Sequence, residues 1–554
     1  MLVCAASLAL RWLVPPIVYA NASYDDLFFV TTADNLFNGE WLGTYDPRMS
    51  LSKGMGYPAF LALCRFLHLP VLLGQHLLLL IAAATVAVVA ARLSRSAALG
   101  LLLFALLALD PSFLGTGSSR VIRDGWYASV CLLVFGITAG LLLPRHDRPA
   151  SRLLLICRAL GTGLALGVAG AMYWLGREER PWLIPALAVL FVGAARLHRR
   201  PVAIRRESRR PVLVSRYRLV GAGTAALVML TGVQAVAGQN ERTYGVRLTN
   251  DMTEGAFVAA YSRWESVDAG GRRPYVPISA AQRRAAYRVS PAAAELRQHL
   301  EGPNSAWLVG ASCAAVQVCD DVAGGWAPWA IRQAVAFTGH YQDADEVQGF
   351  YQRLTAELET ACASAKLTCD RAMPSMLPQP ESIRAGAYAG SFLQASAWLV
   401  GFRLGDMYPG VRSQGDPHNY AVFARSLPGL PATLEEQNAR EERRAPHLDW
   451  VARLRAIYGW LFPPLLVAAV GGLLLAPLRG RGRWQGPWLL ALAAAVMVLT
   501  RLGLLALIDS TSFPAAESRY LLPASSALIV FTVAGVWLLL TSMQRPEPSG
   551  ESRT

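Results

Sequence analysis

The chain has 554 residues, of which 53% are hydrophobic and only 16% charged, against roughly 25% charged in an ordinary soluble domain. Its net charge of +14 is carried almost wholly by arginine, with Lys53 and Lys366 the only lysines, and the arginines fall in clusters between apolar runs. That interleaving excludes an ordinary soluble enzyme, argues against nucleic acid as a partner, and points to a polytopic membrane protein in contact with lipid.

A helix needs about 20 apolar residues to cross roughly 30 Å of hydrocarbon. Ten stretches approach that length: residues 2–22, 71–93, 96–114, 126–143, 153–175, 181–197, 219–238, 451–476, 486–508 and 520–541. Arg92 and Arg95 follow the second run, Arg145, Arg148 and Arg152 the fourth, the block from Arg199 to Arg218 the sixth, and Arg479, Arg481 and Arg483 the eighth. By the positive-inside rule these loops are cytoplasmic and agree on one orientation, with both termini cytoplasmic in a bacterial inner membrane. The first run carries Arg11 in its middle, where a charge is costly, and ends in Ala20-Asn21-Ala22, which reads like a signal-peptidase site. No basic segment precedes it, so a retained anchor is the favoured reading.

This orientation predicts an outward loop at 23–70, with Tyr57 to Leu69 as an interfacial helix, and further outward loops at Arg120 to Gly125, Gly176 to Arg180 and Asp509 to Arg519. The expected fold is an all-α membrane protein: a core at 1–238 with about seven helices, an inserted periplasmic domain at 239–449, about three helices at 450–541 and a cytoplasmic tail at 542–554. The insert is long enough to bury its own core. Ala280 to Leu300, Asp345 to Lys366 and Ile383 to Leu404 have helical spacing, and Glu435 to Arg444 reads as an exit linker or solvated helix. Cys313, Cys319, Cys362 and Cys369 all fall in the insert. Local disulfides, Cys313 with Cys319 and Cys362 with Cys369, suit an oxidising compartment; a zinc site is the rival, without a tight two-residue spacing or a nearby histidine.

Tyr24-Asp25-Asp26 directly follows the first run, holding two carboxylates at the outer interface. Adjacent acids repel, which raises one pKa and leaves a group able to accept a proton near neutral pH. Lys53 in the same loop and Arg120, Arg123, Arg177 and Arg519 in other outward loops are candidate ligands for a phosphate. Acid plus clustered cation is what glycosyl transfer from a lipid phosphate requires. The plain alternative is that Asp25 and Asp26 cap a helix in water and that the arginines snorkel to headgroups.

Tyr24-Asp25-Asp26, then Ala33-Asp34-Asn35-Leu36 with Gly39-Glu40-Trp41, then Lys53 to Pro58 before a short helix, resembles the opening of the GT-C glycosyltransferases of the protein O-mannosyltransferase and aminoarabinose transferase type. The motifs cover residues 20–70, with weaker echoes at Arg177-Glu178-Glu179 and Ser518-Arg519-Tyr520. The resemblance implies Asp25 as catalytic base, Asp26 as its acidic neighbour and Lys53 near the phosphate of a polyprenyl-phosphate sugar donor, with an envelope glycan, lipid or protein as acceptor. The second acid is Asp where the family often has Glu, and Gly-Met-Gly-Tyr replaces Pro-Pro-Leu-Tyr. The insert also precedes the last three runs rather than ending the chain.

No nucleotide-binding signature stands out, no cofactor is assigned, and a need for a divalent metal stays open. Glu178 and Glu179 read as neutralised by Arg177 and Arg180; Asp320-Asp321 and Asp343 to Glu346 read as solvated loops or helix starts rather than an oxygen cage. His340 and His418 have no recognisable partners, and Trp126, Trp182, Trp450 and Trp488 read as interface anchors. Two other functional classes compete with the transferase: a flippase for a lipid-linked saccharide, and a non-catalytic envelope assembly factor. A flippase needs charges within its helices, whereas nearly all charge except Arg11 and Arg501 lies at helix ends.

Overall fold

A computed structural model describes residues 1–143, 151–199, 210–408, 410–479, 484–516 and 519–543. Arg145, Arg148, most of the block from Arg199 to Arg216, Arg479 to Arg483, Ser518 and nearly all of the tail fall on residues or side chains outside this set. The fold is all-α, with one two-residue strand pair, Val267–Asp268 against Thr368–Cys369.

Among the described residues, eight helices are long and apolar enough to cross a membrane. They are α4 (Val71–Ser94), α7 (Asp124–Leu142), α8 (Arg152–Trp174), α9 (Ile184–Arg199, with a lead-in turn from Arg180), α10 (Arg210–Tyr244), α21 (Asp449–Arg479), α22 (Gln485–Thr511) and α23 (Leu522–Met543, with a lead-in turn from Arg519). The other two of the ten runs form shorter helices. One is α5 (Ala97–Ala108), continued by a turn at Pro111–Phe113. The other is α1 (Leu2–Leu13), which stops before Pro15-Pro16, where ring closure removes two backbone donors. Beyond it the chain is extended: Ile17 bonds to Ser119 and Val121, and Val18 and Ala20 bond to Gln414. Arg11 therefore sits in the last turn of α1 rather than mid-span, and its guanidinium donates to the carbonyls of Phe113 and Val14 at 2.9 and 3.0 Å.

The first loop contains α2 (Asp26–Asn38) and α3 (Gly56–Phe66), the latter leaving Leu63, Phe66 and Leu67 exposed. A single-turn helix, α6 (Thr116–Ser119), lies in the loop before α7. Trp126 and Trp182 are fully buried, the first against Tyr57 and Phe60 and the second donating to the Tyr127 hydroxyl. They are core residues and not interface anchors, because the loops fold back over the helix ends that carry them.

The insert divides in two. Its own core joins α11 (Ala256–Glu265), α12 (Ala280–Tyr287), α13 (Pro291–Glu295), α14 (Arg297–Leu300), α15 (Ala306–Val316), α16 (Ala327–Thr338) and α17 (Ala344–Ala363) around Phe257, Trp264, Val335 and Leu354. Disulfides link Cys313 to Cys319 and Cys362 to Cys369. The expected helix over 280–300 is broken because Ser290-Pro291 starts a new cap. Later residues leave that core: α18 (Ala385–Val400) packs along α22, with Ser391 donating to Asp509. Phe402, Tyr420 and Phe423, the last two on α19 (Pro417–Ser426), share one hydrophobic core with Phe29, Tyr57 and Trp126. α20 (Leu434–Arg444) is polar but not free in solvent, since Gln437 donates to Pro16 and Glu441 accepts from Ser413.

A buried ion pair within the insert's core also holds the first loop, through hydrogen bonds to that loop's carbonyls. Arg332 on α16 pairs with Asp251 at 2.6 Å and donates to the carbonyls of Arg48 and Ser50, each at 2.9 Å. Removing one partner of such a pair typically costs about 3–5 kcal/mol. Arg332→Met is expected to raise the rate of tryptic cleavage after Arg48 more than about tenfold, read by mass spectrometry of the fragments; an unchanged rate would refute the clamp.

Beside the same core Glu265 is 3% exposed, and its Oε2 has no hydrogen-bond partner among the described residues. Burial pushes its pKa up to about 8 against the pull of Arg272 and the Gln379 N–H. The folded chain thus holds a proton that the unfolded chain releases near pH about 4.3. Stability should fall as pH rises from about 4 to about 8 and then level. Thermal unfolding midpoints between pH 5 and pH 9 should show this decline in the wild type and a flatter profile in Glu265→Gln.

Candidate active site

Asp25 and Lys53 lie in the loop before α4, Arg120 and Arg123 in the loop before α7, Arg177 in the loop after α8 and Arg519 in the loop after α22. The structure brings them together around α2. Asp25 occupies the N-cap position of α2 but makes no side-chain capping bond. Its carboxylate instead pairs with the Lys53 ammonium. Asp26 opens the helix, is fully buried, and receives Arg120 bidentately, with Nε at 2.8 and 3.0 Å from its two oxygens. The plain helix-cap reading therefore fails for both acids, although the positive end of α2 still favours their charge.

Lys53 reaches this point because the turn that follows it lies directly on the loop after α8. A Cβ at Gly54 would come within 2.1 Å of the Leu175 carbonyl, and the Gly56 N–H bonds that same carbonyl at 3.0 Å. Only glycine permits that approach. The Lys53 ammonium lies over the rings of Phe29 and Trp329, at 5.0 and 5.6 Å from their centroids.

Behind this pair, acids and guanidiniums alternate. Arg123 grips Glu178 at 2.7 and 2.9 Å; Arg177 pairs with Asp124 and, at 3.1 Å, with Glu179; Arg519 meets Asp124 at 2.8 Å. Arg501, buried in α22, donates to the Tyr520 carbonyl and lies 3.6 Å from Glu179. Glu178 and Glu179 are thus neutralised by Arg123 and Arg177, while Arg180 turns away to Thr253. Asp124, which directly follows Arg123, has no signal in residue order that sets it apart from an ordinary loop acid; only its two guanidinium partners do.

The electrostatics separate the two front acids. Burial would raise Asp25, but Lys53, Arg519 and Arg120 outweigh it and hold its carboxyl well below the usual range. For Asp26 burial prevails over the Arg120 pairing, helped by the charge on Asp25, and its pKa rises. Burial lowers the pKa of Lys53 despite Asp25. Asp25 is the ionised and partly exposed member of the pair, Asp26 the enclosed one.

Two features beside the acids had no signal in sequence. Tyr24 stacks on Trp307 at 5.7 Å and meets Trp329 at 4.6 Å, two tryptophans from the insert. A cleft lined by Ser118, Trp398, Arg403, Leu404, Tyr408 and Arg519 encloses about 320 Å3 of empty space that includes open solvent. Arg403 and Trp398 come from the part of the insert that returns to the helical core.

The acids at 320–321 and 343–346 serve structure: Asp320 and Asp321 pair with Arg273 and Arg283, and Asp343 caps α17. Among the described residues no group of three or more His, Cys, Asp and Glu side chains could hold a metal ion. His340 packs edge-on against Tyr341, and the His418 N–H is bonded by Asp416.

No family model matches the chain, and no curated protein matches it.

The Asp26–Arg120 pair is testable by a cycle. Arg120→Gln leaves a buried carboxylate without its counter-charge and should destabilise the protein by about 3–5 kcal/mol. Arg120→Gln with Asp26→Asn should recover most of that loss. Chemical unfolding followed by tryptophan fluorescence reads both, and additive losses would show the two side chains to be uncoupled.

Proposed function

We propose that the protein is a membrane glycosyltransferase of the GT-C kind, moving a sugar from a polyprenyl-phosphate donor to an envelope acceptor at the periplasmic face of a bacterial inner membrane. The observation that carries this reading is the juxtaposition of a partly exposed, ionised Asp25 with Lys53, Arg120 and Arg519 at one end of a lipid-embedded bundle. In this reading both termini are cytoplasmic and the insert is periplasmic. The absence of a recognisable nucleotide motif is consistent with a donor supplied through the lipid phase.

The acceptor hydroxyl approaches Asp25 while the donor phosphate lies toward Lys53 and Arg519, with its lipid in the cavity beside Arg403. As the phosphate draws Lys53 away, Asp25 loses the charge that depresses its pKa and becomes a stronger base. The acceptor oxygen then attacks the anomeric carbon, its proton passes to Asp25, and the bond from that carbon to the phosphate oxygen breaks on the opposite face. The product is inverted, and polyprenyl phosphate leaves with the electron pair, its charge stabilised by the cations. Asp26 and Arg120 position Asp25, and Asp124 holds Arg177 and Arg519 in place behind it.

Asp25→Asn should cut transfer by at least about a hundredfold while leaving expression and insertion intact. Mass spectrometry of envelope lipids, polysaccharide and proteins would read this in a deletion strain complemented with either form. A sugar-sized mass restored equally by wild type and Asp25→Asn would sink the assignment.

A further inference from the structure

A second groove lies away from the acids. It has an empty volume of about 540 Å3 and runs between Trp12 at the end of α1, Pro70 to Leu73 at the start of α4, and Leu427 to Leu430 after α19. Its walls are mostly apolar, Arg11 also lines it, and its mouth is flanked by Arg440 and Arg444, one turn apart on α20. Each guanidinium uses one N–H on a backbone carbonyl: Arg440 on Gly429 at 2.6 Å, Arg444 on Trp12 at 2.7 Å. Neither forms an ion pair with a carboxylate among the described residues.

Three of the four acids of α20 are engaged elsewhere, and the fourth, Glu435, is exposed in its first turn. Glu436 accepts from the Ala432 N–H, Glu441 from Ser413 and Gln437, and Glu442 from Arg412. Burial and repulsion from Arg440 lower the pKa of Arg444. Two like charges held together over an apolar groove are unfavourable unless an anion joins them.

The position of the groove names the kind of anion. It sits at the first turn of a membrane-spanning helix, and exposed apolar side chains flank it: Phe66 at 71%, Leu67 at 57% and Trp12 at 52% exposure. Such a surface faces lipid, at the depth where headgroups meet acyl chains. A basic pocket on a bundle at that depth suits a lipid phosphate.

We propose that this groove seats an anionic phospholipid, its phosphate between Arg440 and Arg444 and the upper part of an acyl chain along Val71, Leu73 and Leu430. The site is independent of the glycosyl-transfer reading, and none of its lining residues belongs to the acid and cation cluster around α2. Its effect would be to brace α1, α4 and α20 against one another.

The test uses the delipidated full chain in neutral detergent, with native mass spectrometry and thermal unfolding as readouts. Phosphatidylglycerol should bind at least about tenfold more tightly than phosphatidylcholine and raise the unfolding temperature. Inorganic phosphate at the same concentration should do neither. Arg440→Gln with Arg444→Gln should reduce the preference to less than about twofold. Leu73→Trp, which fills the groove and keeps both charges, should also lose phosphatidylglycerol. Equal binding of the two lipids, or a preference that survives both variants, overturns the proposal. Stabilisation by inorganic phosphate alone reassigns the arginines to a free anion, and tighter binding of undecaprenyl phosphate than of phosphatidylglycerol reassigns the groove to a carrier lipid.

Discussion

A carboxylate taken wholly out of water must find a counter-charge, and Asp26 finds it in Arg120. Arg120 belongs to the loop between α5 and α7, next to the bonds that join Ser119 and Val121 to Ile17. The same extended segment pairs on its other edge with Gln414, from the returning part of the insert. One bidentate pair thus fixes where α2 begins relative to two distant pieces of chain, the loop at Arg120 and the insert at Gln414. Asp25, its neighbour in sequence, is held at the boundary between protein and solvent as a consequence.

The charges behind the acid pair obey the same constraint. Asp124, Glu178 and Glu179 alternate with Arg123, Arg177 and Arg519, so that no buried charge there lacks an opposite neighbour. Such a lattice is rigid, because moving one member strands another in low dielectric. The front of the site is different. There a single ion pair, Lys53 with Asp25, borders solvent and an aromatic cluster, and it can separate without dismantling the rest.

The insert contributes to both sides of this arrangement. Its compact core delivers Trp307 and Trp329 to Tyr24 and is clamped to the first loop by Arg332 and Asp251. Its later residues descend along α22 as α18 and supply Arg403 and Trp398 to the cavity beside Arg519. An element read as one outer domain is therefore two units, one covering the site and one walling it.

Much of the architecture was legible in residue order alone. Runs of about 20 apolar residues admit only helices in a bilayer, because the backbone must satisfy itself there, and eight of the ten runs form helices of that length. The arginine clusters assigned Asp25, Lys53, Arg120, Arg123, Arg177 and Arg519 to one side, since hydropathy and charge act locally along the chain. What the sequence could not decide is which acid meets which cation. Arg123 lies 55 residues from Glu178, and Arg519 lies 395 from Asp124. Nor could it show that Pro15-Pro16 ends α1 early, that the apolar helix at 385–400 packs on the membrane bundle, or that two tryptophans reach Tyr24. Those outcomes depend on packing between segments far apart in the chain, where burial decides which partners each charge and ring must have.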